Sequence, residues 1–374
     1  MARRRPSAEQ LLRQFNKLPP AGKVIVVLLV VALAVYALYE SGAFRQEPTD
    51  TGPPGTYLFC FWNVENLYDD EDDPKGRDDM EDWFGRDPGA LGEKLDRLTE
   101  ALLRMNDGAG PDILAMCEVE SERAVDMLRA ALNARLGATG FADRKYEYSA
   151  FIPDRTGRRF APAMISRVRI EGNRVMRFGR AEGRRNTRLL RVPLRQNGHE
   201  LIVLIAHWTS RVTDETGERR MSYAEDTYGE FRAILLSNPD ADVVICGDLN
   251  DEFDDPSIRL GLRATSAPDT AREALQEPRP YALTALVDTS REGTLYYDRK
   301  WQVFDHILLS RGMLDEKGWS YVPGSFSIFA PPFLHKPGNG PWDFGSEKRK
   351  GPRGYSDHFP VRVRLHVAGS EPAS

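Results

Sequence analysis

The sequence predicts an α/β domain of packed β-sheets flanked by helices, preceded by one N-terminal transmembrane helix. Three patterns predict it. Residues 24–39, "VIVVLLVVALAVYALY", are an uncharged apolar run behind a basic leader. From Thr56 onward, apolar runs of strand length alternate with longer runs of helical period. Several strand runs follow one another with tight turns between them, which implies antiparallel pairing beside βαβ-like units.

The leader, residues 1–23, carries Arg3, Arg4, Arg5, Arg13, Lys17 and Lys23 against Glu9. The apolar run is sixteen residues long; as a helix it spans about 24 Å, a little less than a bilayer core. Lys23 and Glu40 can snorkel at its two ends. The run has no polar face, which argues against a buried helix of a soluble domain. Cations ahead of the run favour an N-terminus in the cytoplasm. The expected location is the cell inner membrane, single-pass, with everything after Tyr39 on the periplasmic side. A cleaved signal segment is the rival, since "VYA" and "SGA" offer small residues for cleavage; the chain would then be secreted. Residues 40–55 hold Pro, Gly and Thr without period and read as a linker.

The domain follows over 56–367, with a tail at 368–374. "YLFCFWNV" reads as a strand. "LGEKLDRLTEALLRMN" places Leu91, Leu95, Leu98 and Leu102 on one side of a helix. "DILAMCEV" is a strand and "ERAVDMLRAALNARL" a second amphipathic helix. The short strands "YEYSAFI", "APAMISR", "RVMRF", "LLRVPL" and "ELIVLIAHW" come next. A third helix, "YAEDTYGEFRAILLSN", leads to the strand "DVVICG", and "VFDHILLS" and "FPVRVRLHV" complete the series. No internal repeat is present.

The net charge of −5 excludes a globally basic nucleic-acid binder. Cys60, Cys117 and Cys246 each lie in an apolar run, an odd set that gives neither a disulfide framework nor a zinc pattern. The acidic run Asp69–Asp82 reads as a solvated loop, and its spacing does not match an EF-hand. Ten arginines between Arg167 and Arg195 read mostly as solvated strand faces, with a few free to hold phosphate.

Six strand ends carry polar groups that a plain core would not choose. They are Asn63 and Glu65 in "FWNVEN", Glu118 in "CEVES", His207 in "AHWTSR", Asp248 and Asn250 in "CGDLND", Asp305 in "FDHILLS", and Asp357 and His358 in "YSDHFPV". Glu118 and Asp357 offer hard oxygen ligands, suited to Mg²⁺ or Mn²⁺ rather than zinc. Asn63 and Asn250 can donate to a phosphate without repelling it. His207 and His358 can donate protons near neutral pH. Asp305 could orient an imidazole and Asp248 could take a proton from water. Together these types describe metal-assisted hydrolysis of a phosphoester.

In this order the six blocks resemble the endonuclease/exonuclease/phosphatase superfamily over about residues 56–367, and "WNVENLYD" followed by an acidic loop is similar to a bacterial subgroup. The resemblance implies a four-layer α-β-β-α sandwich of two packed mixed β-sheets and Mg²⁺-dependent phosphoester cleavage, with Mn²⁺ as a second ion. It implies metal ligation by Glu118, with Asn63, Glu65 and Asp357 completing or seconding that site. It implies water activation by Asp248 and a transition-state role for His358 paired with Asp305. His207, Asn250, Asn63 and Arg188 would face phosphate or leaving group. Glu65 stands where some members carry Asp. The leading expectation is a nuclease, monomeric in its catalytic domain and held to the membrane through the N-terminal helix, with nucleic acid favoured over phospholipid. The alternative is a phospholipid or inositol-phosphate phosphodiesterase or phosphatase. A non-catalytic binding module on the same fold is a third reading, opposed by the full set of catalytic residue types.

Overall fold

A computed structural model describes Pro19 and residues 50, 52, 53, 55–71, 83–153, 160–180 and 188–369. The expected anchor at 24–39 lies outside the described residues, as do 72–82 of the acidic run. Among the described residues no helix is long and apolar enough to cross a membrane. The chain divides into a short unit, Met1–Asp50, and a large one, Thr51–Ser374; all elements below belong to the latter.

The period-2 runs pair into two mixed sheets. In the first the order is β14 (Trp319–Tyr321), β16 (Val361–Val367), β1 (Thr56–Leu67), β2 (Ile113–Val119), β4 (Ala161–Ser166) and β3 (Tyr148–Phe151), with β15 (Ser327–Ile328) also on β16. In the second it is β10 (Tyr281–Ala282), β13 (Asp305–Leu309), β9 (Val243–Asp248), β8 (His199–His207), β7 (Leu189–Gln196) and β5 (Arg169–Ile170), with β6 (Met176–Arg177) on β7. β11 (Leu295–Tyr297) and β12 (Lys300–Gln302) form a separate hairpin. Each large sheet has one parallel pair at its centre, β1 with β2 and β8 with β9, and the other pairs are antiparallel.

Alternation decides what each sheet buries. Phe59 and Phe61 of β1, Ile113 and Ala115 of β2, Val203 and Ile205 of β8, and Val244 and Cys246 of β9 meet in one core between the sheets. The opposite faces take the helices. Helix α1 (Trp83–Arg86) is a single turn. In α2 (Pro88–Leu103), Leu98 and Leu102 join Leu128 and Leu132 of α3 (Glu122–Ala138) against Leu58, Cys60 and Leu114. In α4 (Glu218–Ser237), Ala224, Phe231 and Leu235 cover Ile202, Leu204, Val243 and Ile245. The last helix, α5 (Pro268–Glu273), is short. The result is two packed mixed sheets with helices outside both. All three cysteines are buried and free.

Helix α2 starts three residues before the expected Leu91. The Asp87 carboxylate accepts the Ala90 N–H at 3.0 Å, and Pro88 occupies the first turn, where its missing N–H costs nothing. The strands β5, β10–β12, β14 and β15 were not foreseen; at two or three residues each, they are too short to show a period.

Candidate active site

The core columns end in polar residues. Asn63 continues the inward column Phe59, Phe61; His207 continues Val203, Ile205; Asp248 continues Val244, Cys246. Asp305 opens the column Ile307, Leu309 of β13. Register sets three of them side by side: His207 pairs with Asp248 across the parallel ladder, and Asp248 with Asp305 across the antiparallel one. Residues opposite each other in a sheet point to the same face, so these three side chains converge at one end of the core. This end holds the carboxyl termini of both parallel pairs, where α/β folds characteristically place ligands.

Glu118 reaches the same end by a different route. Alternation would aim it outward with Leu114 and Met116. Its φ is +62°, and the β2–β4 register shifts between Met116 and Val119. A bulge of this kind re-aims a side chain. The β1–β2 register shifts likewise between Asn63 and Leu67, with φ of +50° at Glu65 and +52° at Asn66.

The side chains then interlock. Asn63, fully buried, donates from Nδ2 to Glu118 Oε1 at 3.1 Å and to Asp248 Oδ2 at 3.0 Å. Its Oδ1 accepts the Glu65 N–H at 3.0 Å. The Asn66 N–H donates to Glu118 Oε2 at 3.0 Å, and the Asn250 N–H to Asp248 Oδ1 at 3.1 Å. His358, on the loop before β16, donates from Nδ1 to Asp305 Oδ2 at 2.7 Å, while its Nε2 lies 3.8 Å from Asp248 Oδ2. His207 Nε2 stands 3.7 Å from Glu118 Oε1 and 3.8 Å from Asp248 Oδ2.

Burial and charge set the protonation states. Burial opposes charge on His358, but Asp305 and Asp248 outweigh it and hold the imidazole well above its usual range. His207 is pushed well below its usual range, first by burial, then by Arg188 and His358. One imidazole is thus cationic and the other neutral. Burial pushes the Asp248 carboxyl up to about 7, against the pull of His358. Glu118 is raised by burial and then by Asp357. Asp357, next to His358, is exposed to solvent.

Asn63 bridges the site: its Oδ1 accepts the Glu65 N–H and its amide nitrogen faces the Glu118 and Asp248 carboxylates. The Glu65 carboxylate accepts the N–H groups of Phe344 at 2.6 Å and Gly345 at 2.8 Å, so it anchors the 344–345 loop. Asn250 lies beside the site, donating from Nδ2 to the Trp208 carbonyl at 3.2 Å. Arg188 reaches the same carbonyl at 3.4 Å, and its own carbonyl accepts the His207 N–H. Asp251 and Asp255, in the turn that follows β9, pair with Arg211, and Asp251 also with Arg220; they staple the turn.

Sequence reasoning missed Asn66, Ser356 and Lys94. Ser356 Oγ donates to the Asn63 carbonyl at 2.6 Å and accepts the His358 N–H at 3.1 Å, which ties the last loop to β1. Lys94 left a signal: three residues after Leu91 and four before Leu98, it sets a charge on the apolar stripe of α2.

The donors suit a hard divalent cation. Glu118 and Asp357 are crowded by like charge and present only oxygen. A second cluster, Asp248, Asp305 and His358, has ligand atoms within 4.8 Å of one another. Within it His358 is hydrogen-bonded to Asp305 and stands 3.8 Å from Asp248.

No curated protein matches the chain. Solved structures do. The human Nocturnin catalytic domain with bound sulfate is 14% identical over 84% of this chain and 96% of its own, with a TM-score of 0.43. A mutant of Staphylococcus aureus beta toxin with bound magnesium ions is 14% identical over 82% and 98%, with a TM-score of 0.47. An endonuclease/exonuclease/phosphatase family protein from Bacteroides thetaiotaomicron is 13% identical over 84% and 98%, with a TM-score of 0.48. The family model described as Endonuclease/Exonuclease/phosphatase family matches residues 58–367, from β1 to the end of β16. By that match the chain belongs to the endonuclease/exonuclease/phosphatase family of metal-dependent phosphoester hydrolases.

Proposed function

We propose that this protein is a Mg²⁺-dependent phosphodiesterase acting on nucleic acid, with Mn²⁺ as a substitute ion. One observation carries the reading: Glu118, Asp248, His207 and the Asp305–His358 pair meet around Asn63 at one end of the core.

Glu118 and Asp357 would hold the ion, with Glu65 behind them. When bound, it supplies positive charge to the phosphoryl and leaving oxygens. Asp248 takes the proton of the attacking water; a carboxyl raised to about 7 suits that task at neutral pH. Asn63 holds Asp248 and Glu118 in fixed relation by donating to both. The His358 imidazolium faces the charge that develops on phosphoryl oxygens, and Asp305 fixes its ring. Neutral His207 gives a hydrogen bond to phosphate or leaving group, and Arg188 and Asn250 line the same side. A cavity of about 250 Å³ adjoins Glu65 and Asn66, lined by Tyr68, Trp83 and Phe344 with Lys348 at its edge.

A panel of DNA, RNA, sphingomyelin and inositol phosphates, each with and without Mg²⁺, tests the assignment on the purified chain. Cleavage of DNA or RNA that requires the ion is the expected result. Turnover of sphingomyelin or inositol phosphate alone would transfer the site to the alternative substrates. We also propose that residues 24–39 anchor the domain outside the cytoplasm. A reporter fused after Gly55 should work only if it is active in the periplasm, and a cytoplasm-active fusion would reverse the topology.

A further inference from the structure

Lys94 has no exposed surface, which is rare for a lysine. Its ammonium donates to the Tyr355 carbonyl at 3.0 Å and lies 4.7 Å from the centre of the Phe344 ring. Both contacts lead to the site. Tyr355 immediately precedes Ser356, Asp357 and His358. Phe344 gives its N–H to Glu65. Burial lowers this ammonium to about 8, which leaves it charged at neutral pH; the charges of Glu65, Asp357 and Glu118, in that order, hold it up, and Arg353 opposes them. A charge buried without a purpose would be replaced at little cost by leucine or methionine on this helix face.

We propose that Lys94 is the site's resident counter-cation. It stands behind the metal-side carboxylates, offsets their mutual repulsion while no metal is bound, and competes with the incoming ion for their field. It is a positioning residue that touches neither substrate nor metal. The inference rests on the metal-dependent reading above and fixes a sign that a packing role would not produce. Losing the charge weakens the metal-free protein and tightens metal binding. A lysine that merely braced the two loops would, on removal, loosen Asp357 and Glu65 and weaken metal binding.

The test uses the full chain as wild type, Lys94→Met, Lys94→Gln and Lys94→Arg. Mg²⁺ and Mn²⁺ affinities are measured by calorimetry, and thermal midpoints with and without metal. Lys94→Met removes charge and donor; Lys94→Gln removes the charge but keeps a donor for the Tyr355 carbonyl; Lys94→Arg keeps the charge. The two neutral variants should lose metal-free midpoint and bind metal at least about tenfold more tightly, from the loss of one like charge near the ion. Lys94→Arg should bind metal within about threefold of wild type by the same argument. Unchanged or weaker binding in the neutral variants overturns the proposal. If those variants do not fold, tighter binding in Lys94→Arg overturns it alone. Wild type that shows no metal binding would sink the metal-dependent reading and this inference together.

Discussion

The Asp305–His358 pair gives the most exposed prediction. Asp305 is fully buried, bonds His358 Nδ1 at 2.7 Å through Oδ2, and leaves Oδ1 without a hydrogen-bond partner. A carboxylate in that setting is stabilised chiefly by the imidazolium it faces. A charge at about 4 Å from a phosphoryl oxygen is worth about 4 kcal/mol at an effective dielectric of about 20. That is about three powers of ten in rate. His358→Ala should therefore lower kcat by about 10³-fold. Asp305→Asn should cost nearly as much at pH 8, because the ring then loses its proton at a lower pH. The double variant should be little worse than His358→Ala alone, since the two residues act as a unit.

Acidity separates this account from a structural one. With Asn at 305 the imidazole returns toward its ordinary range, so the Asp305→Asn deficit relative to wild type should shrink from pH 8 to pH 6. Asp248 moves in the same direction, because Asp305 is one of the charges raising it. Removing one partner of a buried pair costs about 3–5 kcal/mol of stability, so each variant is first checked for a cooperative unfolding transition. The measurement is kcat against pH for all four proteins on the diester found active. Multiplicative losses, or a deficit independent of pH, would refute the pairing.

Three further outcomes are expected. Mg²⁺ at a hundredfold excess over its Kd should stabilise the wild type by about 2.7 kcal/mol; Glu118→Gln should lose most of that gain, and an equal gain in both would remove Glu118 from the metal. A Cβ on Gly247 would lie 2.0 Å from the Ala206 carbonyl oxygen, so Gly247→Ala should force β8 from β9 and cost about 3 kcal/mol in a denaturant titration; a change within about 0.5 kcal/mol would show that the ladder yields freely. Burial raises Asp242 to about 7, helped by Asp315 and Asp240 and opposed by the Trp319 N–H. Between about pH 4 and 7 the folded state then holds a proton that the unfolded chain has released, so stability falls as pH rises through that window. Asp242→Asn should gain more in thermal midpoint at pH 8 than at pH 4, and an equal gain at both would refute the shifted carboxyl.

How far the sequence could be read depends on whether local rules held. The columns Val203, Ile205, His207 and Val244, Cys246, Asp248 keep strict alternation, so inward aim follows from the pattern once the strands are recognised. The three long helices were legible for the same reason at their own period. Lys94 was legible too, as a charge on an apolar stripe, but reading α2 by its leucines alone passes over it. Glu118 was not legible in its aim. Alternation assigns it to the helix side, and nothing in "AMCEVES" favours a left-handed residue; glutamate seldom adopts one. The same holds for Glu65 and Asn66, whose positive φ values turn the end of β1. Among the described residues only ten other than glycine have positive φ, and Glu65, Asn66, Glu118 and Asn250 all stand at this site. Backbone strain of this kind costs about 1–3 kcal/mol for each residue. It persists where hydrogen bonds over-determine it: Asn66 N–H on Glu118, Asn250 N–H on Asp248, Glu65 N–H on Asn63. Each of those bonds holds a carboxylate or the amide that bridges two of them. The backbone departs from its preferred regions where it must supply N–H donors to buried acids, and that requirement is set by the tertiary meeting of two sheets, which no single strand encodes.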